Sequence, residues 1–176
     1  MRVRLAALLF TLGCPGLLGC KTLTEVSVGY ADAITTSSLP GEGPWSGVSV
    51  AFPGLSDMDP LSSPSLTRYA VTAEEIESVK VTSAELSGSS GECGLPFAKL
   101  ELQLVAAELG PTTLATAERR GECLSWALVE TELAPWFRQP TISIVALVDG
   151  EPLAADQSLS LRVSFLVDVT DKPITE

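Results

Sequence analysis

Apolar and polar residues alternate along most of this chain. Leu159, Leu161, Val163, Phe165, Val167 and Val169 occupy every second position near the C-terminus, and Ser158, Ser160, Arg162, Ser164 and Asp168 lie between them, with Leu166 the exception. A period of two belongs to a strand with one buried face, so the pattern predicts a long half-buried strand there. Leu100, Leu102, Leu104 and Ala106 alternate with Lys99, Glu101 and Gln103 in the same way. Val26, Val28 and Tyr30 alternate with Glu25, Ser27 and Gly29, and Val48, Val50 and Phe52 form a shorter run. Ile142, Ile144, Ala146 and Val148 face away from Thr141, Ser143, Val145 and Leu147; so little polarity on either side predicts a central strand. Leu124, Trp126 and Leu128 oppose Ser125 and Ala127. From Val79 to Leu86 the apolar phase slips from odd to even positions, as a β-bulge requires.

Turn signals punctuate these runs at Leu39-Pro40-Gly41, Gly43-Pro44, Gly88 to Gly91, Gly110-Pro111 and Asp149-Gly150. The last lies between two alternating runs and predicts a hairpin. One short helical turn is expected at Thr72 to Glu77, where Thr72 and Glu75 make a capping box. The proline-rich stretch from Ser37 to Ser65 contains the Val48 run, so it reads as an early strand followed by a surface crossover, Gly54 to Leu66. About seven or eight short strands with so little helix predict an all-β fold, an antiparallel sandwich.

Composition narrows the chemistry. The 176 residues are 45% hydrophobic and 19% charged, ordinary for a folded domain and too apolar for a disordered one. The chain contains no His and no Asn. Triads built on an imidazole base, and metal sites that need imidazole ligands, are therefore excluded. With 22 acids against 11 bases and a net charge of −11, the chain lacks the cationic surface that neutralises phosphates, so no nucleic-acid partner is expected.

The first residues read as an export signal. Arg2 and Arg4 precede an apolar run from Leu5 to Leu18 interrupted only by Thr11 and by small or turn-forming residues. At about 1.5 Å per residue this run is too short to cross a hydrocarbon core of about 30 Å. It is an h-region rather than a membrane span. It ends in Leu17-Leu18-Gly19-Cys20, which resembles the lipobox of bacterial lipoproteins. The resemblance implies that residues 1–19 are removed and that Cys20 is diacylated on sulfur and acylated on its new amine. An ordinary cleaved signal with Cys20 free or disulfide-bonded is the alternative. Thr11-Leu12-Gly13-Cys14 is a weaker match, with a polar residue three before the cysteine and a shorter apolar run. In such lipoproteins an Asp after the acylated cysteine commonly retains the protein in the inner membrane, so Lys21 implies the outer membrane, facing either the periplasm or the outside. Two or three acyl chains suffice for stable anchoring. Strand-like sequence begins by Leu23, so residues 20–176 form a single domain held close to the membrane without a stalk.

With Cys14 removed in the signal and Cys20 acylated, Cys93 and Cys123 remain, each in a Gly-Glu-Cys string. An exported compartment permits disulfides, and neither a close Cys-x-x-Cys pair nor a His partner suggests redox or metal chemistry. A Cys93–Cys123 bridge is expected, worth about 3–4 kcal/mol for a loop of this length. From Arg68 to Val169 the order of elements is similar to uncharacterised bacterial lipoproteins and secreted proteins with an immunoglobulin-like sandwich. The segments that carry the likeness are Glu75 to Ser83, Leu100 to Ala106, Glu132 to Phe137 and Phe165 to Val169. That group brings no catalytic residues. True immunoglobulin domains place a Trp between their cysteines, whereas Trp126 follows Cys123.

Other candidates are sparse. Glu130 and Glu132 share one strand face and could serve a carboxylate enzyme, though a solvated face is the commoner outcome. Asp57-Met58-Asp59, and Asp168 with Asp171, are the local oxygen clusters that calcium would use, and neither fits a calcium-loop pattern. Arg119-Arg120 reads as a solvated pair or as a contact to an anionic surface. Trp126 falls on an apolar face and is expected in the core. Trp136, after Pro135, either plugs the end of the sandwich or stands out as a contact. Trp45, after Gly43-Pro44, is the ring expected to be exposed. Trp45 and Trp136 are thus the candidate ligand contacts, and no catalytic residue, metal or cofactor is expected. The reading is a non-enzymatic envelope lipoprotein acting as a structural or interaction module, its partners the membrane and an envelope protein or glycan. A carbohydrate-binding or carbohydrate-processing lipoprotein and a calcium-dependent adhesion domain are the alternatives.

Overall fold

The computed structural model describes residues 22–35, 43–89, 91, 93–153 and 157–173. In chain order the strands are β1 (Thr22–Thr35), β2 (Trp45–Ala51), β3 (Ile76–Gly88), β4 (Phe97–Ala106), β5 (Gly110–Arg120), β6 (Cys123–Leu128), β7 (Ser143–Gly150) and β8 (Ser158–Pro173). Short helices α1 (Pro64–Arg68) and α2 (Ala134–Phe137) lie between them. One sheet has the order β1-β8-β3 and the other β2-β7-β4-β5-β6, both antiparallel. The fold is an all-β sandwich, as the alternation predicts.

The period-two faces form its core. All six apolar residues of the β8 run are buried, as are Leu100, Leu102, Leu104 and Ala106 of β4 and Ile144, Ala146 and Val148 of β7. With Val26 and Val28 of β1 and Val79 and Leu86 of β3 they belong to one continuous cluster. β7 is hydrogen-bonded on both sides, by β2 and β4, which explains why its outer face also carries Val145 and Leu147. The phase slip in β3 is a register shift against β8 between Val81 and Ser83. Such an irregularity lets Val79 and Leu86 face the same core from opposite parities.

The expected hairpin at Asp149-Gly150 does not form. β7 and β8 belong to different sheets, so the chain leaves Gly150 and crosses the sandwich. Gly150 instead lies within the ladder, opposite Trp45 on one side and Phe97 on the other. Its φ is +147°, and a Cβ there would lie 2.7 Å from both the Phe97 Cα and the Pro96 carbonyl oxygen. Only glycine fits so close an approach. Asp149 accepts a hydrogen bond from the Gly47 N–H at 2.5 Å, fixing the irregular start of β2. The Asp-Gly pair ties three strands together instead of reversing one.

Helix is also more frequent than expected. The turn at Ala73–Glu75 carries the Thr72–Glu75 capping box, with the Glu75 carboxylate accepting from the Thr72 N–H at 2.8 Å. Further turns at Pro53–Leu55 and Pro60–Ser62, together with α1, fill the crossover between β2 and β3. Each begins at proline, whose fixed φ suits a first helical position and whose missing N–H is not needed there. Helices of five and four residues cannot display a 3.6-residue period. The crossover is held by the Tyr30 hydroxyl donating to the Pro60 carbonyl at 3.1 Å, by the Met58–Ile142 bridge, and by buried Leu55 and Leu66.

Candidate functional site

The register defines two ends of the sandwich. Thr22 pairs with Pro173 and Ile76 with Val169, so the start of β1, the end of β8 and the start of β3 share one end. Arg138, directly after α2, donates to the Ile76 carbonyl from Nη2 at 2.5 Å and Nε at 3.2 Å. The Trp136 indole N–H in turn donates to the Gly110 carbonyl at 3.0 Å. This end therefore also holds α2 and the β4–β5 turn. Residues 1–19, Cys14 and Cys20, the Leu39-Pro40-Gly41 turn and the Asp171 side chain lie outside the described residues. The first described residue, Thr22, is two positions beyond Cys20 and is already in β1.

The two candidate tryptophans separate. Trp45 is only 6% exposed, so the expectation of an exposed, ligand-contacting ring is wrong. Its indole stacks on Phe97 with centroids 5.8 Å apart and planes at 23°. The two rings belong to strands on either side of β7 and meet at the level of Gly150, which has no side chain to part them. Trp136 is half-buried against the core beside fully buried Phe137, and its polar edge is satisfied by Gly110. It plugs the corner of the sandwich. Trp126 is half-buried against the core on β6.

At the opposite end Cys93 and Cys123 form the expected disulfide, 30 residues apart in sequence, and the Gly94 N–H donates to the Glu122 carbonyl beside it. Arg119 donates to the Leu95 carbonyl, so this arginine braces the β3–β4 loop. The loop on which Leu95 and Cys93 lie is thus fastened twice.

Glu132 is structural. One of its oxygens accepts from the Val79 and Ala134 N–H groups, each at 2.8 Å, joining the edge of β3 to the start of α2. Burial opposes its charge, but hydrogen bonds from Val79, Ala134, Ser78 and Leu133 outweigh that and hold its carboxyl below the usual range. Glu101 is held low as well, by the Gln103 amide and the Thr113 hydroxyl. Tyr30 moves the other way: burial, with the Asp59 carboxylate nearby, pushes its phenol up. Asp59 caps the turn at Pro60–Ser62 through the Leu61 N–H. The Asp57 N–H donates to the Ser143 hydroxyl. Among the described residues no three Cys, Asp or Glu side chains converge as a metal ion would need.

Among the clefts of the described residues, two larger ones escape the sequence reading. One, of about 450 Å³, lies among Thr24, Glu25, Glu77, Asp168, Val169 and Thr170 at the end where β1 begins. The other, of about 590 Å³, runs past Lys80, Thr82, Leu128, Glu130, Glu132 and Leu166, where the chain leaving β6 passes the edge of β3. Leu128 is 41% exposed there. Both clefts join residues distant in sequence, and no local motif marks either. Neither holds a cysteine thiol or an imidazole, and Glu132 is already committed to backbone donors.

Comparison with protein-family models, with curated proteins and with solved structures found no match for this chain. Among the described residues no helix is long and apolar enough to cross a membrane.

Proposed function

We propose that this chain is a cell-envelope lipoprotein whose acylated Cys20 holds an immunoglobulin-like sandwich at the outer membrane as a non-enzymatic structural or interaction module. The observation that carries the reading is the spacing at the N-terminus. A lipobox-like Leu17-Leu18-Gly19-Cys20 is followed, after Lys21 alone, by the ladder of β1 on β8. A removable signal ends before the folded body begins, and Thr22 is already in β1. The Cys93–Cys123 bridge fits an exported, oxidising compartment. Burial of Trp45 takes away one of the two rings on which a carbohydrate-binding reading stood.

Labelling cells with radioactive palmitate tests the anchor. Label is expected in the wild-type protein and in Cys14→Ser, and not in Cys20→Ser. An unlabelled wild-type protein, or label lost with Cys14 rather than Cys20, refutes the reading. Crosslinking in intact cells followed by pull-down from membranes tests the module role. Recovery of an envelope protein or polymer is expected, and an empty pull-down counts against it.

A further inference from the structure

We propose that the end of the sandwich carrying the start of β1 rests on the lipid bilayer, with Leu109 at the tip of the β4–β5 turn entering the interfacial layer. The proposal rests on acylation of Cys20. One residue, Lys21, separates that cysteine from the first rung of β1. An extended chain spans at most about 3.6 Å per residue, so the first rung lies within about 7 Å of the acylated position. A body tethered so closely must turn some surface toward the membrane. The contacts from Ile76 through Arg138 and Trp136 to Gly110 place the β4–β5 turn at the tethered end.

What that turn presents is suited to lipid. Leu109 is 42% exposed, and Ala107, Pro111, Pro135 and Pro140 are exposed around the half-buried Trp136. The Trp136–Gly110 hydrogen bond joins the hairpin and α2 into one surface. A tryptophan with its polar edge satisfied beside aliphatic and proline carbon is a side-chain set that settles at a membrane interface. The charges near the patch include Glu108, Glu132 and Arg138, of which Glu132 is engaged with backbone donors and Arg138 with the Ile76 carbonyl. At the opposite end the exposed charges are of both signs: Glu118, Arg119, Arg120, Glu122 and Glu151. Across from the patch, the small sheet brings Glu25, Glu77 and Asp168 to the tethered end. These carboxylates oppose anionic headgroups, so the contact is with zwitterionic lipid of no net charge.

The test uses the full-length acylated protein in vesicles of phosphatidylcholine and phosphatidylethanolamine. Leu109→Cys carries a nitroxide label, and Ser46→Cys, exposed at the far end, carries the same label as reference. Mass spectrometry of the N-terminal peptide first establishes acylation. With acyl chains present, the label at 109 should collide several-fold more with oxygen, relative to a water-soluble nickel chelate, than the label at 46. Equal accessibility in acylated protein overturns the docking and leaves the lipoprotein reading intact. Dipolar broadening between labels at 109, with both in water, overturns it in favour of pairing between copies. An unacylated N-terminus overturns both readings.

Discussion

The two ends of the sandwich close by different means. The far end is fastened covalently by Cys93–Cys123, with Arg119 bracing the same loop and the Trp45–Phe97 stack beside it. Among the described residues, the end where β1 begins has no such bond. There α2 lowers Phe137 into the core, with its ring 5.0 Å from that of Phe165, while Trp136 and Glu132 fasten the helix to the β4–β5 turn and to β3. A disulfide acts chiefly by restricting the unfolded chain, whereas a packed plug acts through contacts of the folded state. The far end can therefore carry a loop rich in glycine, and the end where β1 begins requires close packing.

This contrast can be broken experimentally. The largest effect is expected from Phe137→Ala, which removes a fully buried ring and should cost about 3–5 kcal/mol in denaturant unfolding. A loss below that of opening the disulfide would show that the plug is secondary. Cys93→Ser and Cys123→Ser should each cost about 3–4 kcal/mol and equal one another within error. Unequal losses, or titratable thiols at these positions in the oxidised protein, would contradict the bridge. Gly150→Ala should cost about 1–3 kcal/mol, because the new Cβ meets backbone rather than a movable side chain. Its fluorescence should also change if the Trp45–Phe97 stack is disturbed, and an unchanged spectrum with unchanged melting would refute the account of Gly150.

The smallest effect is expected from Glu132→Gln, about 0.5–1 kcal/mol at neutral pH, because solvent weakens this partly exposed carboxylate's bonds. Its sign with pH is fixed. The folded carboxyl lies below its unfolded value, so its contribution is present above the unfolded value and disappears as pH falls through the folded one. Melting curves of wild type and variant should converge in acid. Divergence there would assign the stabilisation to another group.

Strands were readable because burial on one face writes a period of two directly into the residues, as in β8 and β4. The bulge in β3 was legible as a change of parity, and the disulfide followed once Cys14 and Cys20 were assigned to the signal and the lipid. Two misreadings share one origin. Asp149-Gly150 looks like a turn and Trp45 looks exposed after Gly43-Pro44, yet both depend on β2 and β4 flanking β7. Nothing local to either segment encodes which strands become neighbours. The same holds for Glu132, whose partner Val79 lies 53 positions away. The helical turns other than that at Ala73–Glu75 were hidden by brevity, and their prolines read equally well as breaks.

β1 is an edge strand, joined within its sheet to β8 alone along most of its 14 residues. A pull applied at Thr22 and resisted at the far end of the body runs along the strand axis. The rungs of that ladder then bear the load in shear, all together, rather than parting one by one as in a zipper. Held from the start of this strand, the body would resist traction along the strand better than traction across it.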